Sequence, residues 1–481
     1  MIDQLPNLPD ESPAAKDGLR AAADGPFAAD GSSAATHGSA GASTLYRRRI
    51  ALRRGRLEEA WERFESLIDP HSGVIRRVMD ADRSPGDPDF FQSVAILGDI
   101  RQVYQICGFD TNGGGTSLDP LEAKVRACGE AVERYCSFLP FQDQMIYSPY
   151  KKIAGRALPP DRFPLCTEEE YRNTSSFVAR PDPRQSYHWV DGYSLTRQRE
   201  LYVPALLVYL GYRPRRAEEW FYHPISTGLG AGSSYAAAAL SGACEIIERD
   251  AMMVAWYKRL SSPRIRLSSV RNPDVLERLR RLEAAGLEVR SYLLLPDQGI
   301  TTVLTLLLDP QHSPLPITCA TATGFDPAGV LAKTLDEAVQ TRAFALKDLI
   351  EGGKARKLEH PAEVKTLDDH VSFYLDRGRL AAFDFLLNQP ETVDLGSLTP
   401  PVSGGPEALL EGFLKILSGL GLELIVADIT TRDIREAGLW VVRALIPGLL
   451  PLTQDHNVRF LGGGRLKQFP GPLNRWPHPF A

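Results

Sequence analysis

A five-residue signature, Glu-x-x-Glu-Arg, occurs twice in this chain, as Glu130, Glu133 and Arg134 and again as Glu245, Glu248 and Arg249. Ala127-Cys128-Gly129 leads into the first copy and Ala243-Cys244 into the second. Residues three apart on a helix share one face, so each copy sets two carboxylates side by side with an arginine next in sequence. A single copy reads as an ordinary solvated face. Two copies with similar flanks read as halves of one pocket.

A third segment extends the pattern. Asp119-Pro120 and Asp326-Pro327 have the form of an N-cap followed by the first helical residue, and Ser234 is placed to cap the helix between them. Glu122 stands at capping-box spacing from Asp119. The eleventh residue after each cap is Glu130, Glu245 or Glu337, a depth of ~16 Å at ~1.5 Å per residue. The third helix continues with Gln340 and Arg342. Acidic residues at mid-helix need a cation between themselves and any bound anion. Mg²⁺ suits that task, since it takes a few carboxylates together with waters and phosphate oxygens. The neighbouring arginines suit phosphate oxygens directly.

The 481 residues, 43% hydrophobic, suffice for one large domain or two smaller ones. A formal charge of -5 gives no reason to expect nucleic acid. No apolar run is long enough to cross a membrane and no signal core opens the chain, so a cytoplasmic protein is expected. The six cysteines form no Cys-x-x-Cys pair and read as reduced thiols.

Residues 1–44, rich in Ala, Gly and Ser, read as a disordered tail. Residues 45–65 read as a basic N-terminal helix with Arg47, Arg48, Arg49, Arg53, Arg54 and Arg56, solvated or docked on a partner. Residues 66–481 are expected to form the main domain. Within it, Gly113–Gly115 reads as a loop three turns away from Glu130, serving either phosphate contact or a plain turn. Ser226–Ser233 reads as a second flexible loop. A hairpin is expected over 287–308, a strand over 317–323, a helix over 407–420, and strands over 423–429 and 439–446. Mixed sheets and long helices make the fold class α+β or α/β. The Pro-rich segment 469–481 reads as stiff and extended, with Phe469, Trp476 and Phe480 as apolar anchors.

Together, ACGEAVERY (127–135), STGLGAGSSYAAAALSGACEIIERDA (226–251), LDEAVQTR (335–342), WVVRALIPGLLPL (440–452) and NRWPHPFA (474–481) resemble the YcaO family. The resemblance is to the ATP-dependent cyclodehydratase subunits of thiazole/oxazole-modified peptide pathways. It implies a YcaO-type ATP fold with Mg²⁺ on Glu130, Glu133, Glu245 and Glu248, and a nucleotide site drawing on Arg134, Ser233, Glu337, Gln340 and Arg342. The stiff C-terminus suggests a fixed Ala481 carboxylate as a base or positioning group, with His478 as a second base candidate. Two positions depart from the family pattern: Ala237 replaces an acidic residue of some members, and the terminal Pro-x-Pro-x-Pro ends here in Ala481.

The implied reaction closes a Cys, Ser or Thr side chain onto the preceding amide, whose oxygen leaves as phosphate. The implied partners are a precursor peptide, a separate leader-peptide-binding subunit of ubiquitin-activating-like or winged-helix type, a flavin dehydrogenase and a second copy in a homodimer. Thioamide or amidine formation, and a catalytically idle docking scaffold, are the alternatives left open.

Overall fold

The structure is a computed structural model that describes residues 54–84, 86–98, 112–173, 178–295, 299–310 and 314–480. The tail expected over 1–44, the first part of the basic helix and Ala481 lie outside the described residues. Helix α1 (residues 54–65) buries Phe64 in one hydrophobic core with Ile75, Ala95 and Ala131, and Trp61 packs against that core. The described part of the basic helix therefore belongs to the body of the protein.

Three sheets carry the fold. The first has the antiparallel order β1 (Ile75–Asp80), β2 (Phe91–Leu97), β3 (Gly113–Ser117). The second runs β4 (Ile146–Pro149), β5 (Ser186–Ser194), β13 (Ile425–Asp428), β14 (Trp440–Leu445), β7 (Leu229–Gly232), with β6 (Arg199–Pro204) paired to β5. The third runs β11 (Ile317–Gly324), β10 (Thr301–Leu308), β9 (Glu288–Leu294), β8 (Arg264–Ile265), β12 (Thr392–Val393). Only the short β8–β12 pair is parallel among the described strands, so the class is α+β. The hairpin expected over 287–308 is β9–β10, in register from Thr302 opposite Leu294 to Leu308 opposite Glu288.

One strand of each sheet feeds a long helix: β3 into α2 (Pro120–Ser137), β7 into α3 (Tyr235–Lys258), and β11 into α5 (Pro327–Phe344). Between α3 and α5 lies α4 (Pro273–Ala284), and α6 (Pro406–Gly419) follows later in the chain. The caps form as the residues require. Asp119 accepts from the amides of Leu121 and Glu122, Ser234 from that of Ala237, and Asp326 from that of Ala328.

The two glycine stretches are strands, correcting the expectation of loops. Each strand folds back on its own helix at backbone-to-backbone distance. A Cβ at Gly113 would stand 2.0 Å from the Ala127 carbonyl oxygen, and one at Gly230 would stand 2.2 Å from that of Ala238. Small residues on the facing helices, Ala123, Ala127 and Ala131 on α2 and Ala238 and Gly242 on α3, permit the approach. Helix α3 is buried nearly all round, as a central helix must be. Its N-terminal half packs with Phe413 and Leu417 of α6, and its C-terminal half with Phe373, Phe383 and Leu306.

Candidate active site

The back-folding of strand on helix decides where the glutamates point. Glu130 does not lie remote from the glycine strand: its Oε2 accepts from the Gly114 amide at 2.8 Å, and its Oε1 from Arg134 at 3.0 Å. Glu133, one turn on, crosses to the second sheet and accepts from the Ala231 amide of β7 at 2.7 Å. The second motif repeats the plan. Glu245 accepts from the Gly228 amide, at the entry to β7, at 3.1 Å, and Glu248 crosses to the third sheet to accept from Thr321 Oγ1 of β11 at 3.0 Å. In each motif the first carboxylate is held by its own β–α unit and the second by the next unit. Gln340 of α5 closes the ring, since a Cβ on Gly114 would stand 2.7 Å from its Nε2 and 3.8 Å from Glu130 Oε2.

Thr321 is in position because β11 alternates. Ala320 and Ala322 belong to the core under α5, while Ile317 and Cys319 belong to the core around α3, so Thr321 faces Glu248 and Met252.

Electrostatics mark the site as charge-crowded. Burial, and then the charge of Glu245, push the Glu133 carboxyl up to about 8. Burial raises Glu248 to about 7, with Arg249 opposing the shift and Glu337 adding to it. Arg249 reaches both Glu245 and Glu248 at 3.4 Å, and Lys333 reaches Glu337 at 3.3 Å. The charges of Glu337 and Glu248 hold the Lys333 ammonium protonated. Cys244, beside this group, is no thiolate nucleophile, because burial pushes its thiol up to about 12.

These residues suit a divalent cation in one particular way. Among the described residues no group of three or more His, Cys, Asp or Glu converges as a ready cage. The carboxylates come instead in pairs, each with one buried member, Glu133 or Glu248, whose raised proton affinity a divalent cation would relieve. That is the donor set for Mg²⁺, which keeps waters and phosphate oxygens in its shell.

The other residues singled out in the sequence separate. Arg134 and Gln340 border Glu130 and Gly114. Glu337 joins the group through Lys333, and Ser233 is exposed where β7 meets the cap of α3. Arg342 does not join: it is buried on Asp309 at 2.8 Å and the Leu315 carbonyl at 3.4 Å.

The C-terminal segment is docked. The Trp476 carbonyl accepts from Trp256 Nε1 at 3.1 Å and the Pro477 carbonyl from the Tyr374 hydroxyl at 2.5 Å. His478 is 1% exposed and lies flat on His370, with ring centroids 3.6 Å apart. Its Nε2 meets the Thr453 carbonyl at 2.6 Å, and its Nδ1 receives the Phe480 amide at 3.4 Å. Burial, then the neighbouring His370, hold it neutral far below the usual histidine range, and the charge of Arg249 contributes. With both ring nitrogens engaged, His478 is a packing residue, which corrects its reading as a base. Lys333, Thr321 and the amides of Gly114, Ala231 and Gly228 were not foreseen. Only Lys333 carried a legible signal, four residues before Glu337 on one helix face.

A family model described as "YcaO cyclodehydratase, ATP-ad Mg2+-binding" matches residues 114–450, well over half of the chain. The chain belongs to the YcaO family. As a YcaO protein it is an enzyme that uses ATP and Mg²⁺. An uncharacterized protein of Methanothermobacter thermautotrophicus is 27% identical over 347 residues, covering 71% of this chain and 82% of the relative. Among solved structures, a heterocyclase in complex with substrate and cofactor is similar with a TM-score of 0.72 and 23% identity, over 88% of this chain and 57% of that one. This chain therefore spans little more than half of that heterocyclase. YcaO from Methanopyrus kandleri, bound with AMPPCP and Mg²⁺, is similar with a TM-score of 0.59 and 20% identity, over 82% of this chain and 91% of that one. Both likenesses are of fold. No described helix is long and apolar enough to cross a membrane.

Proposed function

We propose that this YcaO enzyme carries out cyclodehydration of a ribosomally made precursor peptide in the cytoplasm. A Cys thiol, or a Ser or Thr hydroxyl, adds to the carbon of the preceding backbone amide. The γ-phosphoryl group of ATP passes to the amide oxygen, and loss of phosphate leaves a thiazoline or oxazoline with ADP. An amide oxygen is too poor a leaving group without that transfer.

The observation that carries this reading is the ring of carboxylates, Glu130, Glu133, Glu245 and Glu248, gathered from two helices onto strands of three sheets. These four would hold Mg²⁺, which supplies neutralising charge for phosphoryl transfer. Arg134, Arg249 and Lys333 border the carboxylates as cationic donors suited to phosphate oxygens. Gln340 and Ser233 are suited to polar contact with the nucleotide. Arg342 is assigned to the scaffold, because its guanidinium is engaged by Asp309. A separate leader-peptide-binding subunit is the expected partner, delivering the peptide to this ring.

The test is mass spectrometry of a candidate precursor peptide incubated with the purified chain, the partner subunit and Mg-ATP. The expected product has lost one water per ring, with ADP formed in step. Exchange of an amide oxygen for sulfur would show the thioamide reaction instead. No ATP turnover in the complete mixture would leave only the docking-scaffold reading.

A further inference from the structure

Arg443 occupies β14, opposite Leu229 of β7, and is 3% exposed. Its Nη2 donates to the Ile225 carbonyl at 2.7 Å and its Nη1 to the Ser226 carbonyl at 3.2 Å. Its Nε has no hydrogen-bond partner among the described residues. The amide of the next residue, Ala444, donates to the Gly228 carbonyl at 2.7 Å. Two successive residues of β14 thus clamp the turn from Ile225 to Gly228 by three of its carbonyl oxygens.

That turn has little latitude. Gly228 adopts φ +93, and a Cβ there would stand 2.5 Å from the Ala444 carbonyl oxygen. Its N–H is the group that donates to Glu245 Oε2. Where the turn sits therefore sets where one oxygen of Glu245 sits.

The charge on Arg443 needs an account as well. Burying a guanidinium is costly unless its donors and its charge are met. Two carbonyls meet part of that demand. Burial lowers the Arg443 pKa to about 10, and the charges of Tyr222 and Glu245 oppose the fall. An apolar β-branched residue would fill a strand position at less cost, so packing alone does not explain an arginine here.

We propose that Arg443 is a positioning residue of the cation site: it acts through the Ile225–Gly228 turn to hold Glu245 in the geometry that binds the metal. This rests on the reading of Glu245 as a Mg²⁺ ligand. Residues that orient metal ligands typically cost 10–100-fold in metal affinity when changed.

The test uses Mn²⁺ as an EPR-visible probe, titrated into the full chain with a non-hydrolysable ATP analogue. The proteins are wild type, Arg443→Lys, Glu245→Gln and the double variant. Lysine keeps a buried positive charge but lacks the planar fork that spans two carbonyls. Arg443→Lys is expected to weaken Mn²⁺ binding by ~10–100-fold while the thermal melt remains cooperative. In the Glu245→Gln background the same change is expected to add almost nothing, because both act on one ligand. Unchanged Mn²⁺ affinity in Arg443→Lys, or losses that multiply in the double variant, would overturn the inference and leave the function above intact. Unchanged affinity in Glu245→Gln would overturn the metal reading beneath it. Should Arg443→Lys fail to fold, Arg443→Met fills similar volume without a buried charge and is read by the same two outcomes.

Discussion

Glu133→Gln is the substitution for which the structure gives the clearest numerical expectation. The glutamine Oε1 can still accept from the Ala231 amide, so the contact between α2 and β7 is kept while the charge is lost. In the free protein that charge is a burden. Its carboxyl titrates near 8 in the folded chain against 4.5 as an ordinary glutamate. The folded state thus binds more protons between those values, and stability falls as pH rises through the window. At pH 7.5 the deficit comes to at most about 4 kcal/mol. At an unfolding entropy of ~2.1 cal/mol/K per residue over roughly 430 residues, this is about 4 °C in melting temperature. Glu133→Gln without ligand is therefore expected to melt up to ~4 °C above wild type at pH 7.5. The gain should shrink to almost nothing by pH 4.5, the ordinary glutamate value at which the window closes. The ranking should reverse with Mg²⁺ and a nucleotide analogue, which stabilise wild type and leave the variant unmoved. Differential scanning fluorimetry over this pH range, with and without Mg²⁺-analogue, measures both. A variant that melts lower than wild type without ligand, or gains as much from Mg²⁺-nucleotide, would refute the reasoning.

Three further outcomes follow from the geometry. Gly230→Ala drives a Cβ to 2.2 Å of the Ala238 carbonyl oxygen, and urea denaturation should show a loss of ~3 kcal/mol or more; a change under ~0.5 kcal/mol would mean the strand can slide off α3. Arg342→Met should lower stability by ~3 kcal/mol through the abandoned Asp309 while leaving nucleotide affinity by calorimetry within about twofold of wild type; a large affinity loss would return Arg342 to the site. His370 is held near 4 against an ordinary 6.5 by burial, so the folded state binds fewer protons between those values and stability falls as pH drops through them. At pH 5 this is worth about 2 kcal/mol, and proteolysis of the C-terminal segment should accelerate below pH ~6 in wild type, less in His370→Gln, and least when His478→Gln is added, since His478, stacked on His370, is also held neutral by burial; equal acid sensitivity in all three would remove the histidine pair from the account.

Much of this organisation was legible in the sequence. Asp119, Ser234 and Asp326 announced three helix starts, and their common distance to Glu130, Glu245 and Glu337 announced a shared depth. The reading failed where tertiary approach overrode local chemistry. Gly113–Gly115 and Leu229–Gly232 have the composition of loops, yet they are strands whose missing side chains let a helix backbone come close. That approach needs the alanines of a partner helix, which no local window contains. Arg342 follows its motif in sequence but turns to Asp309, a partner 33 residues away in the chain. His478 has the chemistry of a base in isolation, and only its stack on His370 and its bond to Thr453 show otherwise.

The relay in which each unit's second glutamate reaches into the next unit has a consequence for motion. Glu133 needs β7 in place and Glu248 needs β11 in place, so neither the second nor the third unit can open without releasing a carboxylate that belongs to the preceding unit's helix. Amide hydrogen exchange in β3, β7 and β11 should then slow together on loading with Mg²⁺ and nucleotide, by a common factor set by ligand concentration over its dissociation constant. The sheets are already joined without ligand by these contacts, and the first two also by a shared core, so loading is expected to tighten one cooperative body that the protein has built in advance.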